Sequence, residues 1–402
     1  MSATNGHVLG DVASFVRGIT FTPEDVKLPF EDGTAVCMRT KNVQVDLDEQ
    51  DLIAVPKEFV RRKEQYLSEG DLLVSSANSW NLVGKCCWVP KLDYEATAGG
   101  FISILRADHK KVDPRYLYHW FAAPETQHEV RLCGRQTTNI SNLKYERCLN
   151  LPIPLPKLEE QKQIAVILDK ADSIRRQQQE ALREAQSLGM AIFLEMFGDI
   201  SINDRDWEMV TVADAGDVQL GRQRAPKYQT GKHTHPYIRV ANVFEDRIDL
   251  GDVLSMDFDA TDFERYKLED GDILLNEGQS TELVGRPAIW RNELPDCCFQ
   301  NTLVRFRVYP EKTEPEYALC VFLRYLHSSK FAGVSSKTSS VAHLGAARFA
   351  RMPFPLPPLK LQTEFTKRRV VQRRLTEKLE KRAIEAVQLF NSLVQRAFKG
   401  EL

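Results

Sequence analysis

The chain has 402 residues, 54 basic against 56 acidic side chains, a formal net charge of −2 and 43% hydrophobic residues. That length and apolar content fit two or three domains with cores of their own, and the charge balance alone does not advertise nucleic-acid binding. No apolar run approaches a membrane span, and MSATNGHVLGDVASFVRG lacks a basic region followed by an apolar core, so no membrane and no signal peptide are expected. The eight cysteines include the adjacent pairs Cys86-Cys87 and Cys297-Cys298 but no CxxC, which reads as free thiols in a reducing compartment. Lys399-Gly400-Glu401-Leu402 only superficially resembles a retention signal.

Along the first part of the chain, Gly70-Asp71 before Leu72-Leu73 predicts a turn feeding a buried strand over Asp71–Ser75, with another strand over Phe101–Arg106 and a helix over Pro114–Ala122. Residues 151–161 then read LPIPLPKLEEQ, and a long charged segment with apolar residues at helical spacing follows. Pro156 fits the first helical position, and Glu159 and Glu160 favour the positive end of the helix dipole. Ile167, Ala171, Ile174, Gln178, Ala181, Ala185, Leu188 and Ile192 alternate spacings of three and four, which predicts a coiled-coil seam.

The second half restates the first. Residues 352–362 read MPFPLPPLKLQ, and at an offset of 201 the pairs Pro152/Pro353, Pro154/Pro355, Leu155/Leu356, Pro156/Pro357, Leu158/Leu359 and Gln161/Gln362 are identical. At the same offset Gly70-Asp71 meets Gly271-Asp272, Pro114 and Tyr116 meet Pro315 and Tyr317, and one residue earlier in phase Arg39, Asn42 and Val43 meet Arg239, Asn242 and Val243. A period this long means two whole domains with attached helices, not a solenoid. The second copy predicts strands over Asp272–Leu275 and Thr302–Val308 and a helix over Pro315–His327. Its terminal helix carries the seam Leu375, Leu379, Ala383, Ala386, Phe390, Leu393 and Ala397, and a basic cluster from Lys367 to Arg382 suited to an acidic surface. Such polar helices need a partner for the seam, and packing one on the other, antiparallel, is the economical arrangement.

Polar loops interrupt both domains. Trp80, Asn81, Arg135, Gln136, Thr138 and Asn139 in the first, and Arg222, Gln223, Arg224, Lys227, Gln279, Lys337 and Ser339 in the second, are candidate DNA contacts, because such side chains reach base edges and phosphates. No phosphate-binding GxxxxGK[ST], HExxH or GxSxG occurs, and no catalytic or metal-binding residue is assigned.

Pro154-Leu155-Pro156, Leu158-Glu159-Glu160-Gln161-Lys162, Ile167-Leu168-Asp169-Lys170-Ala171-Asp172 and Phe193-Leu194-Glu195-Met196-Phe197-Gly198-Asp199 resemble the central conserved region of the specificity subunit of type I restriction–modification enzymes. The ending Ala397-Phe398-Lys399-Gly400-Glu401-Leu402 resembles that family's C-terminal conserved region. The second copy departs from the pattern, with Lys360-Leu361-Gln362 in place of the acidic pair before Gln. The resemblance implies an α+β fold: two similar mixed α/β target-recognition domains (residues 1–155 and 200–355) joined by two long antiparallel coiled-coil helices (residues 156–199 and 356–402) with pseudo-two-fold symmetry. It implies a non-catalytic prokaryotic cytoplasmic subunit that binds double-stranded DNA, each domain reading half of a split site. Ile167, Ile174, Leu188, Ile192, Leu375, Leu379, Phe390 and Leu393 are then spacer and partner-docking positions. The implied partners are two modification subunits, which methylate adenine N6, and restriction subunits. The chain itself carries no cofactor; S-adenosylmethionine, ATP and Mg are implied on those partners. Alternatives are a specificity subunit of another methylation-based defence system, or a bivalent protein–protein adaptor.

Overall fold

The computed structural model describes residues 6–136, 140–224, 231–338 and 341–402, with backbone alone at Gln136, Lys337 and Thr338. The chain divides into two compact units, Met1–Gln179 with Lys381–Leu402, and Glu180–Glu380. Both divisions fall inside long helices, Leu158–Phe197 and Leu359–Lys399, so each unit holds one domain and a part of each helix.

In the first unit, four antiparallel strands are ordered Ala13–Arg17, Ile102–Ala107, Leu72–Ser75, Cys86–Trp88. Both faces of this sheet are covered, which is why Leu72–Ser75 is buried at every position rather than at alternate ones. Leu72, Val74 and Leu105 pack with Tyr116, Leu117 and Phe121 of the helix Pro114–Ala122 and with Ile164, Leu168, Val394 and Ala397 of the long helices. Leu73 and Ile104 face the other way, onto Val36, Met38 and Ala98 of a smaller mixed sheet ordered Ile53–Pro56, Thr34–Met38, Ala96–Ala98. Burying each such Leu or Ile contributes about 1.5–3 kcal/mol, so this strand alone anchors both layers.

The second unit repeats the plan. Its sheet runs Gly216–Leu220, Leu303–Val308, Ile273–Asn276, Pro287–Ile289. Ile273, Leu275, Val304 and Phe306 meet the helix Pro315–His327 together with Phe193, Phe197 and Phe365, while Leu274 and Leu303 meet Ile238, Trp290 and Phe299. The Gly-Asp turns behave alike. Gly70 (φ +93°) and Gly271 (φ +90°) take left-handed conformations that a side chain would strain. Asp71 and Asp272 each receive a two-pronged bond from an arginine of the neighbouring strand, Arg106 (2.7 and 2.6 Å) and Arg307 (2.6 and 2.7 Å). The two helices Pro114–Ala122 and Pro315–His327 begin at proline, as their sequences predict.

The repeated elbow is a hydrogen-bonded joint. Gln161, fully buried, accepts from the backbone N–H of Asp113 (2.8 Å) and donates to the carbonyls of Pro156 (2.9 Å) and Lys111 (3.3 Å). Gln362 does the same with Glu314 (3.0 Å), Pro357 (2.8 Å) and Lys312 (3.1 Å). Tyr116 and Tyr317 each donate to a proline carbonyl, Pro154 and Pro355, at 2.8 Å. The prolines expected at the first helical position lie just outside, because Pro156 and Pro357 turn their carbonyls to the glutamines and the helices begin at Leu158 and Leu359.

Within each unit the long helices run antiparallel. In the second unit Gln372 donates to the carbonyl of Ala185 (2.5 Å) and Phe365 packs on Phe193 and Phe197. In the first, Arg175 lies over Phe390 (5.4 Å), while Phe398 packs near the elbow on Tyr116. The buried row differs from the seam expected from sequence. Ala171, Ala185, Ala383, Ala386 and Ala397 are buried as expected, Ile192, Phe390 and Leu393 pack partly against the cores, and Leu379 is half-buried. Ile167, Ile174, Leu188 and Leu375, however, are exposed, and Ile164, Leu168, Phe193, Phe197 and Phe365 take the interior. Each helix stretch must face a domain as well as the other helix, which turns the adjacent row, carrying the aromatic rings, inward.

Candidate nucleic-acid interface

A small outer sheet gathers part of the candidate set in each unit. In the first unit it is ordered Ala77–Asn78, Ser141–Leu143, Gly134–Gln136, with Asn78 opposite Ser141 opposite Gln136, and Ala77 opposite Asn142 opposite Arg135. In the second it is ordered Gly278–Gln279, Val341–His343, Ser336–Thr338, with Gln279 opposite Ala342 opposite Lys337. Every partner in that second row lies 201 residues after its counterpart, so the two sheets keep one register across the duplication. Side chains opposite one another share a face. Ser141 and Ala342 face inward, whereas Arg135 and Asn142 are exposed together.

The loop leaving Asn78 carries Trp80 and Asn81 outward as exposed side chains, with the turn closed by Leu82 N–H and Val83 N–H on the Ser79 carbonyl. Asn78 is fixed beneath it, donating to Ser75 Oγ (3.1 Å) and accepting from Ser79 N–H (2.8 Å). In the matching loop, Gln279 accepts from Ser280 N–H (3.1 Å). Trp80, Asn81 and Arg135 thus sit on one outer sheet and its loop, as do Gln279 and the backbone of Lys337 in the other unit. Arg222 is elsewhere. It forms an ion pair with Asp262 (2.5 Å), donates to the Asp257 carbonyl and lies over the Phe258 ring, so it fastens its own domain together. Gln223 and Arg224 next to it are exposed. Thr138, Asn139, Lys227 and Ser339 lie outside the described residues.

Asn142 and His343 belong to the same sheets and were not singled out from the sequence; their position in an outer strand, opposite Arg135 and Ser336, is the signal that finds them. His343 pairs with Glu277 (3.1 Å), and Arg348 braces the sheet from below by donating to Ser336 Oγ (2.9 Å) and the His343 carbonyl (2.7 Å).

Two further constellations join each domain to its helices. In the first unit Arg115 and His119 both reach Asp169 at 2.7 Å, and Arg176 bridges Asp172 (2.6 Å) and Asp46 (2.5 Å). Burial works against the charged Asp169, but the bonds from His119 and Arg115 outweigh it and hold the carboxyl below its usual range. In the second unit Arg369 reaches Asp246 (3.0 Å), Arg291 reaches Asp246 (2.9 Å) and Glu316 (3.4 Å), and Arg373 pairs with Glu316. Burial again opposes charge on Glu316, and Arg373, Arg291 and Arg369 nonetheless lower its pKa. Of the basic cluster, then, Arg369 and Arg373 are internal partners, while Lys367, Arg374, Lys378, Lys381 and Arg382 are exposed. The loops bearing Asp46 and Asp246 explain the repeated Arg-x-x-Asn-Val. Buried Asn42 donates to the carbonyls of Asp48 and Asp51, and buried Asn242 to those of Asp249 and Asp252, holding both loops in one shape.

All eight cysteines are free, and burial pushes thiols such as Cys37 up to about 12, far from the thiolate a nucleophile needs. Among the described residues no helix is long and apolar enough to cross a membrane, and no group of three or more His, Cys, Asp or Glu is placed to hold a metal ion.

Residues 8–184 and 204–387 match the family described as the Type I restriction modification DNA specificity domain. The chain is 24% identical over 409 residues to the type I restriction enzyme EcoKI specificity subunit of Escherichia coli strain K12, covering 97% of this chain and 87% of that protein. It is equally 24% identical over 413 residues to the StySPI specificity subunit of Salmonella potsdam, with the same coverage of 97% and 87%. The fold is similar to the crystal structure of a type I restriction–modification S subunit from M. genitalium, with a TM-score of 0.59 at 12% identity over 99% of this chain and 98% of that one. It also matches a chain solved in work on complex assembly and conformational transition of the type I R-M system, with a TM-score of 0.52 at 16% identity over 97% and 98%. Two domains of one fold, each with an outer sheet in the same register and each matched over most of its length, establish that the chain belongs to the type I restriction modification DNA specificity family, whose members are non-catalytic.

Proposed function

We propose that this chain is the sequence-specificity subunit of a type I restriction–modification complex in a prokaryotic cytoplasm. The domains over residues 1–155 and 200–355 each read one half of a split double-stranded DNA site. The helices over residues 156–199 and 356–402 set the spacer and dock two modification subunits. Those subunits bring S-adenosylmethionine and methylate adenine N6; restriction subunits, with ATP and Mg, cleave unmodified DNA. The observation that carries this reading is the duplicated outer sheet in one register, which with its loop presents Trp80, Asn81, Arg135 and Asn142 in one domain and sets Ser336 and His343 at the positions of Arg135 and Asn142 in the other. Two equivalent but chemically different polar surfaces suit two different half-sites. Sequencing the methylome of a host that expresses this chain with its modification subunit tests the reading. A split motif with a fixed spacer is the expected result. Absence of such a motif, with DNA binding indifferent to sequence, would sink it in favour of an adaptor.

A further inference from the structure

Arg369 and Glu316 are both buried charged side chains between the second domain and the long helices, and the space that Arg369 occupies is built for it. A Cβ at Gly189 on the facing helix would lie 1.9 Å from the Arg369 Nη1. Glycine is unfavourable inside a helix relative to alanine, so this position trades helix stability for room. The guanidinium filling that room hydrogen-bonds in two directions and stands beside an acid in a third. Its Nη2 meets Asp246 at 3.0 Å, its Nη1 donates to Gln372 Oε1 at 2.7 Å, and its Nε faces Glu316 at 3.8 Å. Asp246 comes from the loop after Asn242 and Glu316 from the start of the helix Pro315–His327, so two separate parts of the domain converge on one side chain. Gln372 then donates to the Ala185 carbonyl, extending the connection to the first long helix. One point of attachment leaves a body free to swivel, and two points with a fixed planar fork between them do not.

Burying this many charges is a poor way to gain stability, because desolvation offsets most of the attraction. What such a network supplies is a single geometry. We propose that Arg369 is a positioning residue that fixes the angle of the second domain on its helices and so sets how strictly the spacing to the second half-site is enforced. It touches no base. The inference rests on the proposed function and deepens it.

The test uses the full chain assembled with its modification subunits, measuring adenine methylation of duplexes carrying the native site, the site with its spacer one base pair longer or shorter, and single-base changes within each half. Arg369→Met should lower the preference for the native spacer by about tenfold, comparable to the effect of one wrong base pair, while base preference within both halves stays the same. Arg369→Lys, which keeps the charge but not the fork, should fall between. Gly189→Ala, which displaces the guanidinium without removing it, should loosen spacing in the same sense and serves if Arg369→Met does not fold. If the variants methylate all duplexes more slowly by one common factor, the network is merely structural and the inference is wrong. It is equally wrong if base preference within the half-sites changes while spacing stays strict. A wild-type complex that methylates no split site overturns the proposed function and the inference with it.

Discussion

In the first unit the helix Pro114–Ala122 brings the bases and the long helix the acid, with Arg115 and His119 meeting Asp169, while the loop acid Asp46 meets Arg176 as Asp246 meets Arg369 in the second. In the second unit the signs are exchanged, with Glu316 on the domain meeting Arg369 and Arg373 on the helix. Glu316 stands 201 residues after Arg115, so the domain sides of the two joints are equivalent positions of opposite sign, whereas the helix side is displaced: Val370 stands 201 after Asp169, and the bases flank it at Arg369 and Arg373. The interiors differ too. Arg369 and its slot at Gly189 have Leu168 and Phe390 as counterparts, so one joint is filled by charge where the other is filled by hydrocarbon and a ring. The backbone bonds of the elbow are shared, and the charges are not. Shared bonds let either domain approach either helix, while opposite charges penalise the wrong pairing, since like charges would face one another.

Reversing one sign in each joint has the largest expected effect. Glu316→Arg would crowd four guanidinium groups into a buried site and should cost about 3–5 kcal/mol, read as a lowered denaturation midpoint. Arg115→Glu, in a half-exposed joint where Arg115 also lies over Trp88 and Tyr118, should cost only about 1–2 kcal/mol. Equal losses would refute the asymmetry. The shared part is probed by Gln161→Ala and Gln362→Ala, each of which strands the same buried N–H and carbonyls. Both should cost about 1–3 kcal/mol, and a large difference between them in urea unfolding would contradict the equivalence of the elbows.

The candidate interface gives a smaller, site-restricted effect. Arg135→Ala should relax base preference in one half of the split motif by about 1–3 kcal/mol and leave the other half intact, as scored by methylation of half-site variants. Relaxation in both halves would argue against independent readers.

Acid sharpens the electrostatic contrast. Glu316 titrates below its ordinary value of 4.5 in the folded chain, so it binds fewer protons folded than unfolded near that pH. Its contribution is complete above that value and is lost as pH falls through the lower folded one. Asp199, bonded to Arg324, shifts in the same direction in the same unit, and Asp169 does so in the first. Stability should therefore decline below about pH 4.5, and Glu316→Gln should flatten that decline; an unchanged acid profile would show that Glu316 is not held charged by its neighbours. Least of all, Ile174→Ser and Leu375→Ser on exposed helix faces should shift folding by no more than about 0.5 kcal/mol, while weakening capture of the modification subunit in a pull-down. A normal pull-down would remove these positions from the docking surface.

The strands around Leu72–Ser75 and Ile273–Asn276, the helices at Pro114 and Pro315, and the paired glutamines were legible because each leaves a local signature twice. The buried row of the long helices was not, since two apolar rows compete and only contact with the domains chooses between them. Asp46 and Asp246 were also invisible, because their partners Arg176 and Arg369 lie 130 and 123 residues away. The outer sheets were half legible: composition picked out Arg135 and Gln279, but it also picked Arg222, whose fate was decided by Asp262 and Phe258.

The elbow has a consequence for inheritance. Gln161 and Gln362 hold the domains only by main-chain N–H and carbonyl groups, and Tyr116 and Tyr317 grip only proline carbonyls in return. Main chain is present whatever side chains a sequence brings. A genetic exchange that imports a foreign domain up to this point therefore keeps the fastening intact, provided it carries the tyrosine and a charge of the right sign. Recombination at such a seam creates a new target preference in one step, without having to re-evolve the scaffold that bears it.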